Sequence, residues 1–271
     1  MDTDKASYLA VRDRTVTKGN DLIQQSRFNL SLVQQKILLY LIAQINPFDT
    51  EFREYSFKIP EFCKTCGIDY DNGNNYRYLK AAIKEIADKS VWVERDNTEI
   101  LLRWIEKAKI DKRSGTIAIR LDDDMRPYLL QLHERFTQYE LIYTLRFKSK
   151  YRIRLYELIR SLHFHDLQPF AYQCNLDKLR VAIGAETHKT WQHLKDRAFL
   201  PAITEINAYS DKAIEYEPIK QGRSVIGVEL HISTKPPMER IRIRGEIEKE
   251  LGPEQMTLWD EMGEKGIVND G

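Results

Sequence analysis

The side chains in this sequence with the types and spacing to do chemistry fall into a few groups. Cys63-Lys-Thr-Cys66 has the gap of a zinc or redox pair, but a structural zinc site takes four ligands and Cys174 is the only other thiol. Cys66 also falls on the apolar stripe of its segment, so buried thiols are expected. His163-Phe-His165 has the His-hydrophobic-His spacing of the metal site in strand-nicking enzymes. That site belongs on a strand beside a catalytic Tyr, whereas here the pair falls at a helix end, which argues against nicking. Asp122-Asp123-Asp124 suits a solvated turn or a helix start, where negative charge is favoured. No Gly-x-x-x-x-Gly-Lys-Ser/Thr stretch occurs, so an ATPase would lack its phosphate cradle. The chain is therefore read as a non-enzyme with no catalytic residue, metal or cofactor.

The remaining chemistry is that of positive charge. Over the whole chain 42 Lys and Arg meet 41 Asp and Glu, but the charges are segregated. Residues 141–200 hold eleven basic residues against five acids, a surplus of six that makes a candidate polyanion surface. Residues 236–271 reverse this, with five basic residues against nine acids, so the C-terminal stretch is not expected to bind nucleic acid.

Length and composition bound what can present these charges. A chain of 271 residues, 42% hydrophobic, has room for two small domains with their own cores. The longest apolar run, Ile37 to Ala43, is far short of the roughly 20 residues of a spanning helix. Three cysteines cannot all pair, and Met1-Asp-Thr-Asp-Lys-Ala has no apolar leader character, so a cytoplasmic protein is expected.

The elements that must position the basic residues come from a repeat. At a constant offset of 117, Leu38, Leu41, Ile42 and Ile45 match Leu155, Leu158, Ile159 and Leu162, the i, i+3, i+4, i+7 face of a helix in each copy. The offset then carries Tyr55 onto Tyr172, Phe62 onto Leu179, Cys66 onto Ile183 and Gly67 onto Gly184. In the first copy a Ser31/Gln34 capping box opens a helix to about residue 45, a strand spans 55–59, and a helix with Pro60 at its first position runs to Gly67. A third helix spans 75–88, and three strands follow at 91–95, 99–108 and 116–121. The second copy has a helix over 149–163, a strand over 171–174, a helix from the Asn175 cap to the Gly184 stop, and a helix over 189–207 that Pro201 should kink or break. Two strands, 213–219 and 225–233, close it. Both copies have the order of a winged helix, so an α+β chain of two tandem winged helices is expected.

In a helix-turn-helix the helix after the Gly turn presents its first turns to base edges. The apolar stripe Trp191, Leu194, Ala198, Ala202 and Ile206 leaves Lys189, Thr190, His193 and Arg197 on the other side as candidate base contacts. Lys195 and Arg180 flank them and suit phosphates. The basic helix start Lys148, Lys150, Arg152 and Arg154, and the wing residues Lys220 and Arg223, are further candidates for phosphates. The first unit lacks this surplus. Its strand Ile100-Leu-Leu-Arg-Trp-Ile105 leaves two readings open, a subunit interface or core packing.

Several stretches resemble the initiator replication proteins of iteron-containing plasmids. They are Lys18-Gly-Asn-Asp-Leu-Ile-Gln24, Asn29-Leu-Ser-Leu, Gln35-Lys-Ile-Leu-Leu-Tyr-Leu-Ile42, Leu145-Arg-Phe-Lys-Ser-Lys-Tyr-Arg-Ile-Arg-Leu-Tyr-Glu-Leu158, Pro201-Ala-Ile-Thr-Glu-Ile-Asn207 and Ile219-Lys-Gln-Gly-Arg223. The resemblance implies two winged-helix domains, the second reading the repeated duplex sites and the first giving dimerisation and auxiliary DNA contacts. It also implies origin binding and opening, with the host initiator, helicase and chaperones as partners and a repressing dimer. Residues 1–28 are then an N-terminal arm, 29–134 and 135–233 the two domains, and 234–271 an acidic tail. In that tail Gln255-Met-Thr-Leu-Trp259 is similar to the peptide by which replication proteins dock on the sliding clamp, with Leu258 and Trp259 as anchors and Gln255 setting register. The alternative reading is a dimeric winged-helix transcriptional repressor without a replication role; the clamp-like peptide favours the initiator.

Overall fold

The computed structural model describes residues 12–46, 48–66, 75–95, 97–163 and 168–251. From the N-terminus, β1 (Thr15–Gly19), α1 (Asn20–Gln24) and β2 (Ser26–Arg27) precede a first unit. That unit is α2 (Leu32–Ile42), β3 (Tyr55–Lys58), α3 (Ile59–Cys66), α4 (Asn75–Asp88), β4 (Ser90–Arg95), β5 (Thr98–Arg103), β6 (Ile105–Asp111) and β7 (Thr116–Leu121). A 3-10 turn (Asp123–Met125), α5 (Arg126–Leu129), β8 (Phe136–Glu140) and α6 (Ile142–Leu145) lead to the second unit. It comprises α7 (Lys150–Leu162), β9 (Phe170–Asn175), α8 (Leu176–Ile183), a compound helix α9, β10 (Lys212–Gln221) and β11 (Ser224–Thr234), after which α10 (Pro237–Glu250) packs on the outside. α9 is three consecutive segments: an α-turn Trp191–Leu194, a π-turn Lys195–Phe199 and an α-helix Leu200–Tyr209. Among the described residues the strands form four antiparallel sheets, ordered β1-β8, β2-β4-β5, β3-β7-β6 and β10-β11-β9.

The duplicated pattern is a duplicated core. Leu38, Leu41 and Ile42 on α2 and Leu155, Leu158 and Ile159 on α7 are all buried, as are Phe62 and Cys66 on α3 and their counterparts Leu179 and Ile183 on α8. The expected Ser31/Gln34 capping box opens α2, with the Gln34 N–H donating to Ser31 Oγ at 3.3 Å and the Ser31 N–H donating to Gln34 Oε1 at 2.9 Å. β3 alternates inward Tyr55 and Phe57 with outward Ser56 and Lys58, and Phe57 and Phe62 both pack against the Tyr40 ring at 5.3 Å. Gly67, the expected stop of α3, lies outside the described residues.

Three features depart from the expectations. The expected strand 99–108 is two strands in different sheets, because Trp104 and Ile105 are both buried and a pleat cannot put neighbours on one face. The chain therefore turns the corner at Trp104, whose ring lies edge-on to Phe28 at 5.3 Å. The span expected to be an arm is folded in from Thr15, where β1 pairs along its length with β8 and Val16 is fully buried. The span expected to be a tail begins as α10, which buries Ile243 and Ile247, with Leu251 buried just past its end at the same spacing. The Arg12 guanidinium donates to the carbonyls of Lys64 and Leu251 at 2.7 and 2.9 Å, and Arg244 pairs with Asp13, Glu140 and Glu248, so α10 and the N-terminal segment hold each other.

A buried polar network joins these parts. Lys18 Nζ on β1 lies 2.6 Å from Glu157 Oε1 on α7, and the Tyr139 hydroxyl on β8 donates to the same oxygen at 2.5 Å. Burial, and then the Glu157 charge, hold Tyr139 well above its ordinary pKa, so it stays a donor. One turn further along α7, Ser161 Oγ accepts from Gln24 Nε2 of α1 at 3.0 Å. Asp211 accepts from Tyr156 and from Arg160, each at 2.8 Å, which ties α7 to the base of β10. Lys36 on α2 is buried and donates to the carbonyls of Cys66 and Leu145, and burial lowers its pKa.

Removing one member of a buried ion pair leaves the other charge without compensation, at a cost of about 3 to 5 kcal/mol. Glu157→Leu is therefore expected to destabilise the protein by that amount, while Lys18→Met combined with Glu157→Leu recovers most of it. Denaturant midpoints of the two variants test this, and equal losses would show that the pair is not coupled.

Candidate nucleic-acid interface

The second unit builds its outer face from the turn that follows α8. Asn175 caps that helix by accepting from the Lys178 N–H at 2.8 Å, and Gly184 ends it in the left-handed conformation at φ 69°. The chain crosses the turn 185–190, and Thr190 caps α9 by accepting from the His193 N–H at 3.2 Å. Leu194, Ala198, Ala202 and Ile206 are fully buried, and Trp191 is half-buried, so the expected stripe faces the core. Lys189, Thr190, His193 and Arg197 are exposed.

Pro201 does not break α9. The π-turn directly ahead of it, in which the Leu200 N–H donates to the Lys195 carbonyl, widens the helix where the proline ring would meet a carbonyl of the previous turn. The extra residue also buries Phe199 beside Ala198. Phe199 packs between Trp191 and Tyr216 of β10, with ring centroids 5.9 and 5.0 Å away, so the aromatic cluster sets α9 against the wing sheet. At the tip, Gln221 pairs with Ser224 around Gly222-Arg223, and Gly222 takes φ 61°. Lys220 and Arg223 are exposed there. Gly227 is required by a close approach, since a Cβ would stand 2.6 Å from the Cys174 carbonyl oxygen of β9.

The remaining basic candidates divide by what they touch. Lys148 is exposed, and Lys150 is half-buried with Nζ donating to Asn29 Oδ1 at 2.7 Å; burial is the first cause lowering its pKa. Arg152 is mostly buried in an ion pair with Glu205 of α9 at 2.7 Å, and the same carboxylate accepts from the Lys148 N–H at 3.0 Å. Lys195 is half-buried beside Asp196 at 3.9 Å. Arg154, expected at the surface, is buried: Nε donates to Ala182 O at 2.8 Å, Nη2 donates to Ser26 O at 3.2 Å, and the guanidinium lies 4.2 Å from the Phe28 ring centroid. Arg180, expected at a phosphate, donates instead to Asp177 Oδ1 at 2.7 Å and to the carbonyls of His188 and Lys189 at 2.9 and 2.8 Å. It clips the turn that aims α9. Arg154 is structural because it stands one turn inside the packed surface, and Arg180 because the carbonyls of the turn beside it lie within reach of its guanidinium.

Sequence reasoning passed over three residues of this face. Glu205 joins α9 to the start of α7, Tyr216 closes the aromatic cluster, and His188 places its Nε2 3.2 Å from the Tyr151 hydroxyl. For His188 a signal was present, because it immediately precedes Lys189.

Elsewhere, Cys63, Cys66 and Cys174 are free, buried thiols, as expected; burial pushes Cys66 up to about 12 and Cys174 to about 11, and Cys63 in the same direction. His163 is buried and bonds the Gln168 carbonyl through Nε2 at 2.6 Å, while His165 lies outside the described residues. Among the described residues no group of three His, Cys, Asp or Glu side chains is placed to hold a metal ion. Asp122 caps the 3-10 turn, accepting from the Asp124 N–H at 3.1 Å. On the first unit Leu102, Trp104 and Ile105 are core, whereas the cross-strand partners Trp92 and Leu101 are exposed. No helix among the described residues is long and apolar enough to cross a membrane. Gln255, Leu258 and Trp259 lie outside the described residues.

This architecture, with a basic outer face on the second unit, defines a tandem winged-helix protein of α+β class. Residues 15–160 match the family model described as initiator replication protein, WH1, and residues 175–232 match initiator Rep protein, WH2. The chain belongs to the initiator replication protein family. Its fold is similar to that in a crystal structure of Pi initiator protein in complex with iteron DNA, with a TM-score of 0.68 and 17% identity over 83% of this chain and 98% of that one.

Hydrogen bonds to a charged group contribute about 1.5 to 3 kcal/mol each, and of the two that the Arg180 clip makes to carbonyls of the turn the one to Lys189 is exposed and contributes little. Arg180→Ala is expected to lower stability by about 2 kcal/mol, read from thermal unfolding. A wild-type melting temperature would mean that the turn needs no clip.

Proposed function

We propose that the protein is a non-enzymatic plasmid replication initiator, which binds repeated duplex sites (iterons) at an origin and uses that binding energy to open DNA and recruit the replisome. The observation that carries the reading is the exposure, on one winged helix of an initiator-family chain, of Lys189, Thr190, His193 and Arg197 together with Lys220 and Arg223 on the wing. Lys148 and Lys150 at the start of α7 add backbone contacts. A continuous helix entering the major groove reads bases with its first turns, and cations at its flanks neutralise phosphates. The similar Pi initiator protein is described in complex with iteron DNA, which supports a duplex ligand.

In this reading the second unit is the main reader, and the first contributes dimerisation and auxiliary contacts. The host initiator and helicase are recruited partners, and the stretch at Gln255, Leu258 and Trp259 docks on the sliding clamp. The protein acts in the cytoplasm.

Footprinting on the DNA flanking the gene, with random competitor at physiological salt, should protect several direct repeats at helical-turn spacing. One inverted repeat over a promoter would favour a repressor instead. Arg197→Ala is expected to cost about 1 to 3 kcal/mol on the specific site and to relax one base position, whereas Lys150→Ala should weaken all sequences alike and flatten the salt slope by about one. Equal losses on specific and random DNA from both variants would refute these assignments.

A further inference from the structure

His188 stands in the turn 185–190, between the clip and the reading helix, and none of the contacts described so far gives its ring a role. Its backbone is held, because its carbonyl accepts from Arg180 Nε at 2.9 Å. Its ring is half-buried, edge-on to Tyr151 at 5.5 Å and to His193 at 6.5 Å. Nε2 is engaged by the Tyr151 hydroxyl at 3.2 Å, and among the described residues Nδ1 has no hydrogen-bond partner.

The charges around the ring come from every neighbouring element. α7 supplies Lys150 and Tyr151, α9 supplies His193 and Arg197, and α8 supplies Arg180 beneath the carbonyl. The turn itself holds Glu186 and Lys189, the former within electrostatic reach of Lys150 and Tyr151. Burial, then His193, Lys150 and Arg197, hold the imidazole below its ordinary pKa of 6.5, which favours the neutral ring in the free protein. The cations that disfavour a proton on His188 are the ones that make the spot attractive to an anion.

We propose that His188 is the proton-carrying ligand of a DNA-backbone phosphate seated between the start of α7 and the start of α9. A phosphodiester drawn in by Lys150 and Arg197 reverses the sign of the local potential. The imidazole then takes a proton from solvent, donating through Nδ1 to a phosphate oxygen and through Nε2 to the Tyr151 oxygen. Binding therefore takes up one proton. This rests on the duplex-binding reading and adds to it a contact whose strength depends on pH.

The direction follows from linkage. The pKa of His188 is higher in the complex than in the free protein, so affinity is lowest and flat above the complex's pKa, rises as pH falls through it, and levels off below the free protein's pKa. Between the two values the gain is about tenfold per pH unit. Equilibrium binding of the full chain to a duplex carrying the repeats that flank its gene, from pH 5.5 to 8.0 at constant ionic strength, should show this rise. Calorimetry in buffers of different ionisation enthalpy, at the pH where the slope is steepest, should show about one proton taken up. His188→Gln should abolish both the slope and the uptake, leaving the weaker, high-pH affinity throughout, while His133→Gln, exposed in the segment that leads to β8, keeps them. A slope retained in His188→Gln, or no proton uptake by the wild type, overturns the proposal and leaves the initiator reading standing. No preference of the wild type for the repeats over random duplex at any pH overturns both.

Discussion

The whole arrangement depends on one buried ion pair. Taking Lys18 and Glu157 out of water costs several kcal/mol per ion, and the contact between them, with Tyr139 as a third member, is what offsets it. Each of the three residues stands on a different element, β1, α7 and β8, so the pair is satisfied only when those elements are docked. α7 is also the first helix of the second winged helix. The N-terminal ribbon is thereby fastened to the helix whose start carries Lys148 and Lys150. The Arg154 bonds to β2 and to the end of α8 add a second fastening one turn away.

That docking explains why positive charge along α7 does different work at successive turns. Lys150 and Arg154 are four residues apart and share a helix face. At the first position the side chain still clears the packed surface. One turn deeper, Arg154 lies against the Phe28 ring and its partner carbonyls. Arg152 turns aside to Glu205, which also holds the Lys148 amide. A basic run in the sequence thus becomes two surface cations, one lateral tie and one internal tie.

Aim is set by contacts behind the reading helix rather than on its face. The π-turn at Lys195–Phe199 absorbs Pro201 and turns Phe199 inward against Trp191 and Tyr216, so the helix packs directly on the wing sheet. Arg180 fixes the turn before the helix, Gly184 supplies its left-handed corner, and Gly227 lets the wing sheet close on β9. Lys189, His193 and Arg197 can then carry exposed donors because none of their side chains is needed to hold the scaffold, whereas the Thr190 hydroxyl also caps α9.

Local chemistry made much of this legible without a structure. The capping box at Ser31, the stop at Gly184 and the stripe from Trp191 to Ile206 are dictated by near neighbours in the chain, and together with the repeat at an offset of 117 they specified two winged helices and the outward face of α9. The second fastening, the corner at Trp104 and the clip at Arg180 were not legible, because the first joins positions distant in sequence, the second turns on two neighbouring residues both being buried, and the third on how the turn 185–190 folds back over α8. Lys18 reads as a solvent-facing residue until Glu157 is beside it, so a strand with an inward charge was taken for an arm. Arg154 and Arg180 have the same side chain as Arg197, and type alone cannot separate them. Tertiary packing decided which guanidinium meets carbonyls and which meets solvent, because burying a charge is tolerable only where partners stand ready, and those partners come from elsewhere in the chain.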